Sequence, residues 1–277
     1  QRSENPCFRY VESGSWQSIN WNEAFDQAGK IAGGLQKLGV EQGDRVCLLS
    51  KSRYEWTLSD LGILGCGAVS VPIYESSIAD QIKFIVNNSE AKVIIVENDA
   101  QLAKLNEIFD ELKTVKQVVY FSCSNESVKR DGFYSLDELM MLGSDVGADV
   151  LEKFTQETTG EDVASIVYTS GTTGNPKGVV LTHGNFLAEV RDGVSVLGFE
   201  PHHESLIFLP LAHILARAIQ FAQIYFGFVQ CYAESIEKLT ENISQVRPHF
   251  LLSVPRIFEK IHMKTLLSGE SAPSKKK

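Results

Sequence analysis

Between residues 45 and 121, short apolar and β-branched runs alternate with longer stretches whose apolar residues recur at helical spacing; this alternation is the strongest constraint on the fold. The runs Arg45–Ser50, Ala68–Ile73, Lys92–Val96 and Gln117–Phe121 are too brief for helices, and helices are expected near 53–66, 78–88 and 99–112. The pattern predicts an α/β fold with mostly parallel sheets, right-handed crossovers and flanking helices. Upstream, residues 6–20 read as an extended lead-in around a Ser13-Gly14 turn. Asn20 caps a helix from Trp21 to Leu38 that Gly39 stops. Residues 122–162 are less regular, with a helical turn at Leu136–Leu142. Beyond them, Thr182 or Asn185 opens a helix to about residue 197, followed by a strand at Ser205–Leu209 and a helix at 212–226. A strand at Phe228–Tyr232, a helix at 234–246 and a strand at Phe250–Val254 complete the series. The expected organisation is two lobes, 1–142 and 161–264, with an irregular connection at 143–160 and a basic tail at 265–277.

One stretch is not explained by scaffolding. Ala164–Tyr168 and Val179–Leu181 read as the two strands of a hairpin whose tip is Thr169-Ser170-Gly171-Thr172-Thr173-Gly174-Asn175-Pro176-Lys177-Gly178. Gly171 and Gly174 accept positive φ, so successive backbone N–H groups can turn inward as an anion nest. Thr169, Ser170, Thr172 and Thr173 add hydroxyl donors, and Lys177 adds a full positive charge. A hydrogen bond to a charged group contributes about 1.5–3 kcal/mol, so several together suffice for a triphosphate. A Walker A loop is excluded, because its lysine follows a glycine and precedes Ser or Thr, whereas Lys177 follows Pro176 and precedes Gly178. Gly65-Cys66-Gly67 lacks the third glycine of a dinucleotide fingerprint and follows a helical run.

From Tyr168 to His183 the chain resembles the signature loop of the adenylate-forming, AMP-binding superfamily of acyl- and aryl-CoA synthetases, luciferases and peptide-synthetase adenylation domains. The resemblance implies that Thr169, Ser170, Gly171, Thr172, Thr173, Gly174 and Lys177 hold the phosphates of ATP. Leu209-Pro210-Leu211-Ala212-His213 resembles the segment that lines the carboxylate pocket, which implies a place for His213 near the substrate; spacing alone fits a core histidine equally well. Arg217 lies one turn further on the same face, where it could meet an anionic substrate or form a structural ion pair. Leu251 to Lys260, with Val254 and Pro255, resembles the border of the acyl tunnel in bacterial long-chain fatty acyl-CoA synthetases.

The implied activity is long-chain fatty acid activation with ATP, Mg²⁺ and coenzyme A, through an acyl-adenylate. The superfamily's Tyr-Gly-x-Thr-Glu metal segment, its ribose aspartate and its C-terminal lysine have no counterparts here. Thr240-Glu241 lacks the Tyr-Gly context and Gly43-Asp44 comes too early. No metal ligand is therefore expected in this chain, which reads as the N-terminal portion of an adenylation domain and as a catalytically incomplete fragment. The alternatives are an aryl- or amino-acid-activating relative and a nucleotide-binding module without chemistry.

With 277 residues and 43% hydrophobic content the chain can bury a large core, and its net charge of −9 argues against a nucleic-acid partner. Five cysteines without a Cys-x-x-Cys pair suit reduced thiols, and the polar start gives no sign of a signal peptide, so a cytoplasmic location is expected. Leu206 to Val229 is apolar but holds Arg217, which disfavours a membrane span; peripheral membrane contact and self-association through exposed apolar surface are the remaining expectations. His202-His203 reads as a surface turn after Pro201.

Overall fold

The computed structural model describes residues 3–124, 131–169, 175–255 and 259. A hairpin of β1 (Pro6–Glu12) and β2 (Ser15–Asn20) turns through Ser13 and Gly14, both at positive φ. The Asn20 side chain then accepts the Glu23 N–H in a capping box that starts α1 (Trp21–Lys37). The expected alternation follows as β3 (Arg45–Leu49), α2 (Tyr54–Gly65), β4 (Val69–Ile73), α3 (Ala79–Ser89), β5 (Val93–Asn98), α4 (Asp99–Ile108) and β6 (Gln117–Ser122). A short β7 (Phe133–Ser135) precedes α5 (Leu136–Leu142) and α6 (Gly147–Glu157). The chain continues with the hairpin β8 (Val163–Thr169) and β9 (Lys177–Thr182), then α7 (His183–Ala188), β10 (Glu204–Ile207), α8 (Ile214–Phe226), β11 (Val229–Tyr232) and α9 (Leu239–Val246).

Seven strands form one sheet in the order β7-β6-β5-β3-β4-β8-β9, parallel except for the antiparallel β8–β9 pair. A second sheet has the order β10-β11-β1-β2, with β1 parallel to β11 and antiparallel to β2. The sheets are therefore not built from consecutive halves, which corrects the expected division into lobes 1–142 and 161–264. The N-terminal hairpin pairs with a strand more than 200 residues away, and β8–β9 return to complete the first sheet. One core joins the two, with Phe8, Ile31, Trp56 and Val93 in the same cluster as Leu206, Cys231 and Tyr232.

The expected irregular connection at 143–160 is also corrected: most of it is α6. Two of its glycines serve helix packing. Gly143 and Gly147 lie against Gly29, Lys30 and Gly34 of α1, so closely that a Cβ on Gly147 would fall 2.5 Å from the carbonyl carbon of Gly29. Three smaller departures concern element ends. The helix expected from 182 to about 197 is α7 followed by a π-helical turn at Glu189–Val194 and a 3₁₀ turn at Ser195–Leu197. Thr182 and Asn185 both open it, each side chain accepting the other's backbone N–H. The strand expected at Phe250–Val254 is reduced to a single bridge between Ser205 and Phe250, and α9 begins at Leu239 rather than 234. No helix among the described residues is long and apolar enough to cross a membrane.

Candidate functional site

The hairpin expected from sequence is present, with Val167 opposite Val179 and Thr169 opposite Lys177. β8 runs parallel to β4, so the loop leaves from the carboxyl edge of the sheet, the side on which open α/β sheets bind ligands. The strand below the loop is firmly held. Ser165 is fully buried and its Oγ donates to the Ser70 carbonyl at 2.7 Å, and Tyr168 Oη donates to Asn88 Oδ1 at 2.6 Å. Burial pushes the Tyr168 phenol up to about 12, which leaves it a neutral anchor. A Cβ on Gly178 would lie 2.7 Å from Ile166 Cγ2 and 3.1 Å from Tyr168 Cζ, so this glycine lets the exit strand pass close over the entry strand. Thr169 and Lys177 are exposed at the mouth; Ser170, Gly171, Thr172, Thr173 and Gly174 lie outside the described residues.

His213 is exposed, not a core residue. It caps α8, its Nδ1 accepting the Leu215 N–H at 3.2 Å, so Nε2 is the nitrogen left for a ligand. The preceding turn is fixed by Ser52, whose Oγ donates to the Leu209 carbonyl and accepts the Leu211 N–H, both at 2.7 Å. Ser52 follows β3, so this hydroxyl joins the carboxyl edge of the large sheet to the segment that carries His213. Val254 is half-buried against the core cluster containing Leu206–Leu209, and Pro255 is exposed.

Arg217 departs from the substrate role suggested for it. It is fully buried, and its Nη2 donates to both oxygens of Asp60, at 2.8 and 2.9 Å. Its Nη1 donates to Ser165 Oγ at 2.5 Å. The guanidinium is thus committed inside the protein, where no substrate carboxylate reaches it. Sequence reasoning missed Asp60, Ser165, Gln220 and Ser52. The usable signal was a lone aspartate in the apolar helix α2 and a lone arginine in the apolar helix α8, since charges placed in buried helices are normally paired.

The AMP-binding enzyme family model matches residues 1–277. The chain belongs to the AMP-binding enzyme family. As a member of that family it is 35% identical over 263 residues to the long-chain-fatty-acid–CoA ligase FadD15 of Mycobacterium tuberculosis (strain ATCC 25618 / H37Rv), covering 92% of this chain and 42% of that protein. It is 30% identical to the long-chain-fatty-acid–CoA ligase ACSBG2 of Homo sapiens, over 98% of this chain and 42% of the relative. The chain thus spans less than half the length of these relatives. The crystal structure of a long-chain-fatty-acid–CoA ligase (FadD1) from Archaeoglobus fulgidus superposes with a TM-score of 0.80 at 23% identity, covering 98% of this chain and 51% of the other. The anthranilate CoA ligase AuaEII, solved with anthranoyl-AMP, gives a TM-score of 0.80 at 22% identity, over 93% of this chain and 48% of its own. These two likenesses establish the α/β fold of the family's enzymes.

Two other clusters in this AMP-binding enzyme are structural. Burial pushes the thiols of Cys7, Cys47, Cys66 and Cys231 up to about 12 and that of Cys123 to about 11, so none is a ready nucleophile. His202 and His203 form the expected surface turn, and His249 stacks on His203 with ring centroids 4.8 Å apart. Ligand atoms of Glu200, His202 and His203 lie within 4.8 Å of one another. However, His203 Nδ1 accepts the Glu200 N–H at 3.2 Å and His249 Nδ1 accepts the Glu204 N–H at 3.0 Å. These two Nδ1 atoms are therefore already engaged by backbone N–H donors, and His202 Nδ1 lies 3.2 Å from a Glu200 carboxylate oxygen.

Proposed function

We propose that this chain is the phosphate-binding part of a long-chain fatty acid–CoA ligase that forms an acyl-adenylate from ATP and then an acyl-CoA. The observation that carries the reading is Lys177: it is exposed beside Thr169 at the mouth of the hairpin, and among the described residues no carboxylate lies within ion-pair distance of it. A cation with no carboxylate partner among the described residues, beside a glycine- and hydroxyl-rich stretch of sequence, is matched to a polyphosphate. In this reading Ser170, Gly171, Thr172, Thr173 and Gly174 complete the cradle.

The fatty carboxylate attacks the α-phosphorus, the bond from that phosphorus to the bridging oxygen breaks, and pyrophosphate leaves with the electron pair. Charge grows on the leaving group, where Lys177 and the loop donors stabilise it. Magnesium supplies further charge neutralisation when bound. His213 Nε2 sits beside the fatty carboxylate, and Val254 and Pro255 border the acyl chain. Coenzyme A accepts the acyl group from the adenylate in the second step. The protein's place is the cytoplasm, with peripheral contact to membranes.

The test is ATP–pyrophosphate exchange by the full-length protein containing this chain, across acids from acetate to stearate. Exchange that rises with chain length is expected. Preference for aromatic or amino acids would replace the substrate class, and nucleotide binding with no exchange for any acid would make the protein a binding module.

A further inference from the structure

We propose that Arg217 is a positioning residue that sets the phosphate hairpin against the His213 end of α8; the inference rests on the ligase reading above. The guanidinium touches β8, which leads into the phosphate hairpin, together with α2 and α7, and it is carried on α8 behind His213. Its Asp60 and Trp56 partners belong to α2, Ser165 to β8 four residues before Thr169, and Phe186 to α7, which follows β9. Arg217 itself lies one turn after the His213 cap. The rings of Trp56, Phe186 and Phe221 stand 5.8, 5.0 and 5.4 Å from its central carbon.

The network continues to the second sheet. Gln220 Nε2 donates to Asp60 Oδ2 at 2.7 Å, Thr57 Oγ1 donates to Gln220 Oε1 at 3.3 Å, and Tyr232 Oη on β11 donates to Thr57 Oγ1 at 2.7 Å. One chain of hydrogen bonds therefore runs from β8 in the large sheet, through α2 and α8, to β11 in the small one.

Stability is a poor reason for such an arrangement. Removing two charges from water costs about what their attraction returns, and apolar residues of similar volume often serve as well or better. What the apolar substitutes lack is direction. A rigid guanidinium plane, with Nη2 shared between the two Asp60 oxygens and Nη1 on the Ser165 hydroxyl, ties these groups to one plane and so fixes their distances and angles. The reaction needs that property, because the fatty carboxylate beside His213 must approach the α-phosphate held by the hairpin in one geometry.

The experiment uses the full-length ligase and two kinds of variant. Asp60→Leu with Arg217→Met replaces the pair by apolar groups, and Ser165→Ala cuts the link from Arg217 to β8 together with the Ser165 Oγ bond to the Ser70 carbonyl. The expected result for the double variant is an unchanged or higher urea midpoint, KM values for ATP and palmitate within about twofold, and kcat for pyrophosphate exchange lower by about 10- to 100-fold, the cost of a displacement on the order of 1 Å. Ser165→Ala should follow with a smaller loss in kcat. Amide hydrogen exchange at residues 165–169, 177–182 and 211–217 should accelerate at least about tenfold in the double variant, with the remaining strands unchanged.

Wild-type kcat in a stable double variant overturns the proposal, as does a kcat loss that tracks the urea midpoint across the variants. Unchanged amide exchange in the three segments overturns it independently of any turnover. Should the wild-type protein show no acid-dependent exchange, the ligase reading falls instead, and the amide exchange alone decides whether Arg217 positions these segments.

Discussion

Replacing Gly34 by alanine tests the close glycine contact between α1 and α5. In an exposed helix the change stabilises by about 0.8–1.0 kcal/mol, because alanine is the better helix former. Here the added methyl would overlap the Leu139 carbonyl oxygen of α5 and lie 2.9 Å from Leu139 Cγ and Cδ1. A backbone oxygen cannot swing aside, so α1 and α5 must separate, and overpacking of this kind costs about 1–3 kcal/mol or more. Subtracting the propensity gain from a cost at the upper end leaves a net destabilisation of about 2 kcal/mol. Urea unfolding followed by tryptophan fluorescence reads it, since Trp56 is fully buried in the same core cluster as Leu139. The paired control is Gly160→Ala, whose methyl would meet only Gly184 at 3.6 Å and should change stability by less than about 0.5 kcal/mol. A Gly34→Ala protein as stable as the parent, or more so, would refute close helix contact as the reason for this glycine.

Lys177→Ala in the full-length protein should weaken ATP binding about 10- to 100-fold, the equivalent of one lost charge-assisted bond to phosphate; unchanged affinity by calorimetry removes Lys177 from the site. Burial holds the His183 imidazole below its ordinary value of 6.5, and the neighbouring Asp162 only partly opposes this. The unfolded chain therefore binds the proton first as pH falls through about 6.5, so His183 lowers stability there. A His183→Gln variant should show a flatter loss of stability between about pH 7 and 5 than the parent, and parallel curves from urea titrations would contradict the assignment. β9 is an edge strand with Val179 and Val180 exposed at 44% and 56%, so this 277-residue chain should self-associate on concentration; sedimentation as a clean monomer at high concentration would count against it.

Local physics was sufficient for much of this protein. The strands β3 to β6 and the helices between them follow from side-chain spacing, and the caps at Asn20 and Thr182 follow from short polar side chains placed before apolar periodicity. The hairpin under the glycine- and threonine-rich loop was legible because both of its strands and the turn between them are contiguous in sequence. What the tertiary structure alone decided involves partners far apart along the chain. Nothing near Phe8 indicates that β1 pairs with β11, since a strand's own pattern shows which face is apolar but not which strand completes the ladder. The glycines at 143 and 147 carry the same local signature in a turn as in a seam, and only the approach of α1 distinguishes the two. Arg217 looked available for a substrate because helical spacing places it near His213; its commitment to Asp60, 157 residues away, is a property of the folded core.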